Sequence, residues 1–333
     1  MPRRPAQSRR ALDSGERSES TMPQGDQARG RAALKGIVPP VLTPMTDDGR
    51  IDHESLASLV RWLVDRGVHG IWVMGTTGEF TAFDVEERAA AVATAVQAAR
   101  GKVPVVANVG DASTRLAVQH ARRAAEAGAD AIALLPPYYY PNSQEELLRH
   151  YRTVRSAVDL PLLIYNFPQM VKVRLEVSAV LALAEEGTVI GVKDSQNDLE
   201  WFRQVVLGTR ERGLDFRGFL GTRGLVDAGL QIGAVGAIPG GSNIAPSSCV
   251  AIYDAVQRKD YAAAAAAQER FLQAERVAQV ARMDGRSASL AAMKAVLVHL
   301  GVIRTPRAME PIRPLTPGEM AEIGRLVPQL PLG

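Results

Sequence analysis

Cysteine is nearly absent from this chain. Cys249 is the only one, so no intrachain disulfide can form and a reducing compartment is expected. Histidine is scarce as well: His53, His69, His120, His150 and His299 stand without ligand spacing, which argues against a metal enzyme. No apolar run approaches the length that spans a bilayer, and the Arg9–Arg10 pair lacks the apolar stretch an export signal needs. Net charge is small too. The formal +3 is contained in residues 1–31, where seven arginines face four acidic residues. The remaining body is neutral overall, so a charge argument for nucleic-acid binding fails. These absences predict a cytoplasmic protein that engages neither nucleic acid nor membrane.

What is present is an ordinary globular composition, 46% hydrophobic and 23% charged over 333 residues, with ample material for a core. Residues 1–31 are rich in Ser, Arg and Gln and poor in large apolar residues, which predicts a disordered tail. From Gly36 a rhythm begins. Strand candidates at 36–42, 70–74, 103–108, 131–135, 161–166, 189–193, 216–220 and 234–239 alternate with helical patterns at 54–65, 85–100, 114–127, 144–158, 175–185, 199–210, 225–232 and 247–257. Eight strand–helix units with near-continuous apolar strands imply a parallel sheet closed into a (β/α)8 barrel, an α/β TIM-barrel fold, over residues 32–258. The doubly wound alternative normally opens on a Gly-rich turn, and the first turn here, Leu42 to Met45, has no glycine. After Asp260 the pattern is entirely helical. It predicts a C-terminal helical appendage over residues 259–333, with helices at 261–283, 287–300 and 318–326.

The chemistry of a barrel lies at the C-terminal ends of its strands. The sixth strand ends on Lys193, two residues after Gly191 and on the same face. Burial would strip the hydration of its ammonium and favour the neutral, nucleophilic amine, which forms a Schiff base with a carbonyl carbon. The plainer alternative is a strand-end lysine snorkelling to solvent. The fifth strand ends in Tyr165 and Asn166, which places a phenol beside that lysine as a candidate proton relay. The second strand runs into Gly75, Thr76, Thr77, Gly78 and Glu79. Two glycines around two threonines suit a nest of N–H donors for a small carboxylate, or simply a tight capped turn. Three of the seven tyrosines, Tyr138, Tyr139 and Tyr140, follow the fourth strand.

In order and spacing, Gly75–Glu79, Tyr138–Tyr139, Tyr165–Asn166 and Gly191–Asp194 resemble the signatures of the dihydrodipicolinate synthase / N-acetylneuraminate lyase family. The resemblance covers the chain from about Gly36 to its C-terminus. It implies a (β/α)8 barrel with C-terminal helices, usually a homotetramer built as a dimer of dimers, and an imine between lysine and a 2-oxo acid such as pyruvate. By the same resemblance Lys193 is the Schiff-base lysine and Tyr165 the proton-relay phenol. Thr76 links that phenol to Tyr139, which in many members arrives from the neighbouring subunit. Thr77, with nearby backbone N–H groups including that of Gly75, holds the pyruvyl carboxylate, and Gly221 and the carbonyl of Ile238 line the pocket. No cofactor is implied beyond the covalent imine.

One departure matters. Dihydrodipicolinate synthases have an arginine where Met170 stands, and it grips the carboxylate of aspartate semialdehyde. A thioether cannot do so, although Lys172 or Arg223 could supply a charge. The favoured expectation is therefore a class I lyase, an aldolase or dehydratase, acting on pyruvate or a 2-oxo-3-deoxy sugar acid. Dihydrodipicolinate synthase proper is the first alternative. A barrel binding a phosphorylated metabolite without catalysis is the second, suggested by the glycines at 218–221 and 236–241.

Overall fold

A computed structural model describes Met1, residues 34–282 and residues 285–332; the disorder expected over residues 1–31 falls, Met1 apart, outside the described residues. The strands are β1 (Gly36–Ile37), β2 (Ile71–Val73), β3 (Val105–Asn108), β4 (Ala131–Leu134), β5 (Leu162–Asn166), β6 (Gly191–Asp194), β7 (Arg217–Leu220) and β8 (Gly236–Ala237). They pair in parallel in the order β1-β8-β7-β6-β5-β4-β3-β2. Pro40 bridges Trp72 in parallel, and the Trp72 N–H donates to the Pro39 carbonyl at 2.9 Å. That contact joins the two ends of the sheet and closes the (β/α)8 barrel.

The barrel helices are α1 (His53–Val64), α2 (Val85–Ala99), α3 (Thr114–Glu126), α4 (Gln144–Ala157), α5 (Pro168–Val171), α6 (Val177–Glu185), α7 (Leu199–Glu211), α8 (Val226–Gln231) and α9 (Pro246–Gln257). Their starts are written in the sequence. Asp52, Ser113 and Asp198 each accept a backbone N–H of the first turn, and Asp84 with Glu87 and Ser143 with Glu146 form reciprocal capping boxes. Such caps satisfy donors that a helix leaves open and contribute about 1 kcal/mol each. The strands are short and buried on both faces, as a sheet covered by helices requires.

Three helices follow the barrel: α10 (Tyr261–Glu275), α11 (Gly285–His299) and α12 (Pro317–Leu326). They are fastened to the rim by a pair of fully buried charges. Lys294 Nζ on α11 lies 2.5 Å from Glu79 Oε1 in the loop after β2, and donates to the Arg307 carbonyl at 2.6 Å. The other Glu79 oxygen accepts the Met309 N–H at 2.6 Å. Burial pulls the Lys294 amine downward, and the facing carboxylate opposes that shift.

Several boundaries differ from expectation for local reasons. Strands β1 and β8 span two residues each, because Pro39, Pro40 and Pro239 have no N–H to extend a ladder. The single helix expected over 261–283 ends at Glu275 and gives way to a 3₁₀ turn, Arg276–Gln279. Alanine-rich propensity would have continued it, but the break falls where Glu275 is tied to the barrel. The α5 turn was not expected at all. Four residues are too few to show a helical period.

Candidate active site

Strand register decides the centre of the site. Tyr165 on β5 is paired directly with Lys193 on β6, and both side chains point into the barrel, where Lys193 is 3% exposed. Its Nζ lies 4.1 Å from the centroid of the Tyr165 ring and 4.6 Å from that of Trp72. The two rings meet edge to face at 5.5 Å. Two aromatic walls hold the amine in one place by contact with their faces. The phenol is fixed in turn, because Tyr165 Oη and Thr76 Oγ1 are 3.1 Å apart.

The loop that brings Thr76 here leaves β2 through a strained residue. Met74 has φ 57°, a left-handed conformation rare for a bulky side chain. The Asn108 side chain at the end of β3 holds it, donating to the Met74 carbonyl at 2.8 Å. Gly75 is a glycine by necessity, since a Cβ there would lie 2.8 Å from Trp72 Nε1. Arg88 braces the neighbouring β3 loop from beneath, donating to the Asn108 carbonyl at 2.7 Å and lying 3.0 Å from His120.

A cavity of about 400 Å³ adjoins this pair, bordered by Thr76, which contacts Tyr165, and by Thr77, Ser195, Asn197, Gly221 and Arg223 among others. A Cβ on Gly221 would come within 3.0 Å of Lys193 Cε and 2.1 Å of Ser195 Oγ, so that glycine keeps the floor of the cavity open beside the amine. The structure thus brings together Lys193, Tyr165, Thr76, Thr77 and Gly221, the residues grouped by the resemblance. Ile238 is buried at the end of β8 with its N–H on the Leu220 carbonyl at 2.7 Å. Tyr139 is not brought to Thr76 within one chain. It is 71% exposed and packs edge to face on Tyr140 at 4.9 Å. Met170 borders a second, more apolar cavity of about 260 Å³ with Phe80, Tyr138 and Ile312, which shares Thr76 and Leu290 with the first.

Sequence reasoning missed several contributors. Trp72 is one, although its place on an inward face of β2 was readable from strand alternation. The others reach the cavity from the C-terminal helices: Glu275 at the end of α10, and Ser289 and Met293 on α11. Glu275 has the most unusual environment. Burial pushes its carboxyl up to about 7, against the opposing pull of the Arg223 charge. Oε2 stands 3.2 Å from Arg223 Nε. A Cβ at Gly241 would lie 1.9 Å from Oε1. The only signal for it was the glycine pair Gly240–Gly241, which reads as readily as a phosphate loop. An acid seated against Gly241 is the wrong charge for a phosphate.

Asp194 is the other displaced carboxyl, raised to about 7 mainly by burial. It follows Lys193 on β6 and so faces out of the barrel, where Asn166 Nδ2 donates to it at 2.7 Å. That bond ties β5 to β6 behind Tyr165 and Lys193.

A family model described as the dihydrodipicolinate synthetase family matches residues 33–330. An uncharacterised DapA-like lyase of Halobacterium salinarum is 39% identical over 71% of this chain and 76% of its own. A 4-hydroxy-tetrahydrodipicolinate synthase of Phenylobacterium zucineum is 33% identical over 87% of this chain and 95% of its own. Among solved structures, the prophage protein YagE of E. coli K12, crystallised with pyruvate, superimposes with a TM-score of 0.83 at 30% identity, covering 90% of this chain and 99% of that one. The dihydrodipicolinate synthase of Bacteroides thetaiotaomicron gives the same TM-score at 31% identity, covering 89% and 99%. With the barrel, the lysine–tyrosine register and the Thr76–Tyr165 contact already in place, these likenesses settle the assignment: the chain belongs to the dihydrodipicolinate synthetase family of lyases.

Proposed function

We propose that Lys193 forms an imine with pyruvate or with the carbonyl of a 2-oxo-3-deoxy sugar acid, and that the enzyme cleaves, condenses or dehydrates that acid without a further cofactor. The observation that carries this reading is the register that sets Tyr165 opposite Lys193, with the phenol on Thr76 at 3.1 Å. The neutral amine attacks C2 and water leaves, giving a protonated imine. The C3–C4 bond then breaks, its electron pair moving onto the iminium to form an enamine, while Tyr165 takes the C4 hydroxyl proton and an aldehyde departs. Protonation of the enamine and hydrolysis of the imine return pyruvate and the free lysine. Thr77, which borders the cavity, and the N–H groups of its loop hold the pyruvyl carboxylate in this reading. Tyr139, exposed in the single chain, is suited to complete the relay in a neighbouring subunit of a homotetramer. The pyruvate bound to YagE supports the choice of substrate.

Pyruvate with borohydride tests the proposal. One reduced pyruvyl unit should add to the intact mass and map to Lys193. An adduct that persists in Lys193→Arg, or none in the native enzyme, removes the Schiff-base reading.

A further inference from the structure

The turn that carries Thr76 is held in shape from outside itself. Its own hydrogen bonds are long: the Phe80 N–H donates to the Gly75 carbonyl at 3.4 Å, and the Glu79 N–H to the Thr76 carbonyl at 3.2 Å. Two ties to other parts of the barrel are shorter. Thr43 Oγ1 donates to the Gly78 carbonyl at 2.7 Å, and Asn108 Nδ2 to the Met74 carbonyl at 2.8 Å. Bonds at the long end of the range are the weaker ones, so the outside ties decide the turn. It also begins and ends on left-handed residues, Met74 at φ 57° and Glu79 at φ 56°. Side chains of that size stay in this region only where their surroundings over-determine it. Glu79 is held by Lys294 and by the Met309 N–H. Met74 has an apolar side chain, 1% exposed, and its polar tie is Asn108.

Asn108 is itself built in. It is 2% exposed at the end of β3, and its Oδ1 faces the Gly110 N–H at 3.5 Å. Its backbone carbonyl takes Arg88 Nη2 at 2.7 Å, and Arg88 Nη1 donates to the Gly110 carbonyl at 3.2 Å. A buried carboxamide with a carbonyl on one side and an N–H on the other presents its donor in one direction. We infer that Asn108 is a positioning residue for proton transfer: by holding the Met74 carbonyl, it keeps the turn in the form that sets Thr76 Oγ1 against the Tyr165 hydroxyl. Only Gly75 separates Met74 from Thr76. Asn108 is not among the residues that border the main cavity, so it acts through Thr76. Its catalytic consequence rests on the imine reading above; its geometry does not. Without Asn108, Met74 relaxes out of the left-handed region and draws Thr76 from the phenol. Lys193 still forms its imine, and proton transfer slows.

The test needs pyruvate alone, with the full chain. In D₂O the pyruvate imine loses a C3 proton to Tyr165, leaving an enamine, and C3 takes back a deuteron after the phenol has exchanged with solvent. Methyl exchange therefore reads proton transfer without an acceptor aldehyde. Asn108→Ala should slow exchange about 10- to 100-fold, since misplacing a catalytic group by about 1 Å costs up to about 10²-fold. Asn108→Leu, which fills the site without a donor, should do the same. Borohydride trapping of pyruvate on Lys193 should persist in both. Thr76→Val should slow exchange at least as much, and the Asn108→Ala/Thr76→Val double variant should be no slower than Thr76→Val, because residues acting through one contact do not add. A crystal structure of either Asn108 variant should show Met74 outside the left-handed region and the Thr76 and Tyr165 oxygens more than about 3.5 Å apart. Native exchange in both Asn108 variants, losses that multiply in the double variant, trapping lost from both Asn108 variants, or an unmoved Met74 would overturn the inference. No trapping in the native enzyme would remove the imine reading instead, and the crystal structures would then decide the positioning by geometry.

Discussion

A hydroxyl 3.1 Å from Thr76 is all that distinguishes Tyr165 from a phenylalanine packed beside the lysine. If that hydroxyl moves the proton, Tyr165→Phe should cut kcat by about 10²- to 10⁴-fold, the usual worth of a positioned acid–base group, while borohydride trapping of pyruvate continues. Full turnover in the variant would take the phenol out of the mechanism. Met170 makes the complementary point about an absent charge. It is 44% exposed, on the wall of an apolar cavity, and gives a substrate carboxylate nothing to pair with. Kinetics with pyruvate and aspartate semialdehyde should therefore stay below a kcat/KM of about 10⁴ M⁻¹s⁻¹, the lower end of ordinary enzyme efficiency. A value above that would show that another cation serves.

At the level of elements, the loop after β2 does two jobs at once. Thr76 and Thr77 face the cavity, and Glu79 turns away to hold α11 through Lys294. Removing one member of a buried pair strands the other, at a cost of about 3–5 kcal/mol. Lys294→Met should lower the urea-unfolding free energy by that amount, and Glu79→Gln combined with it should cost less than the two single changes added. A loss under about 1 kcal/mol would mean that α11 docks by apolar packing alone. The same elements show where sequence reading succeeds. Strand alternation places Lys193 and Tyr165 on inward faces, and the caps at Asp84 and Ser143 mark their helices. It fails for Glu275. One carboxylate closing an alanine-rich helix carries no local sign that it will be folded against Gly241, thirty-four residues earlier in the chain.

For the whole molecule, two buried carboxyls give folding a pH dependence of definite sign. Asp194 and Glu275 are each raised to about 7 in the folded chain, from ordinary values of 3.8 and 4.5. Between about pH 4 and 7 the folded state therefore holds protons that the unfolded state has released. Each group removes stability as pH rises through that window, by at most about 1.4 kcal/mol per pH unit, and adds no further slope above it. His150, pushed down to about 4 by burial, acts in the opposite sense up to its ordinary 6.5. Asp194→Asn isolates one carboxyl from that background. Urea unfolding at pH 5 and pH 8 should show the native chain losing more stability over the interval than the variant does, and equal losses would mean that Asp194 is ionised throughout. No helix among the described residues is long and apolar enough to cross a membrane.

The sequence by itself determined the barrel, the Lys193–Tyr165 neighbours and the family, because each rests on local periodicity or on residues a few positions apart. An eightfold strand–helix alternation, a lysine at one strand end and a tyrosine at the next carry their meaning wherever the chain is read. Tertiary structure decided what surrounds that pair. Trp72 comes to the lysine from the far side of the barrel, and the closure of β1 on β2 through Pro40 and Trp72 puts it there. Glu275 and Ser289 arrive from helices beyond the last strand, and the buried Glu79–Lys294 pair fixes where those helices sit. The walls of the cavity depend on those distances between remote segments. They are set by packing, which leaves no period in the sequence to read.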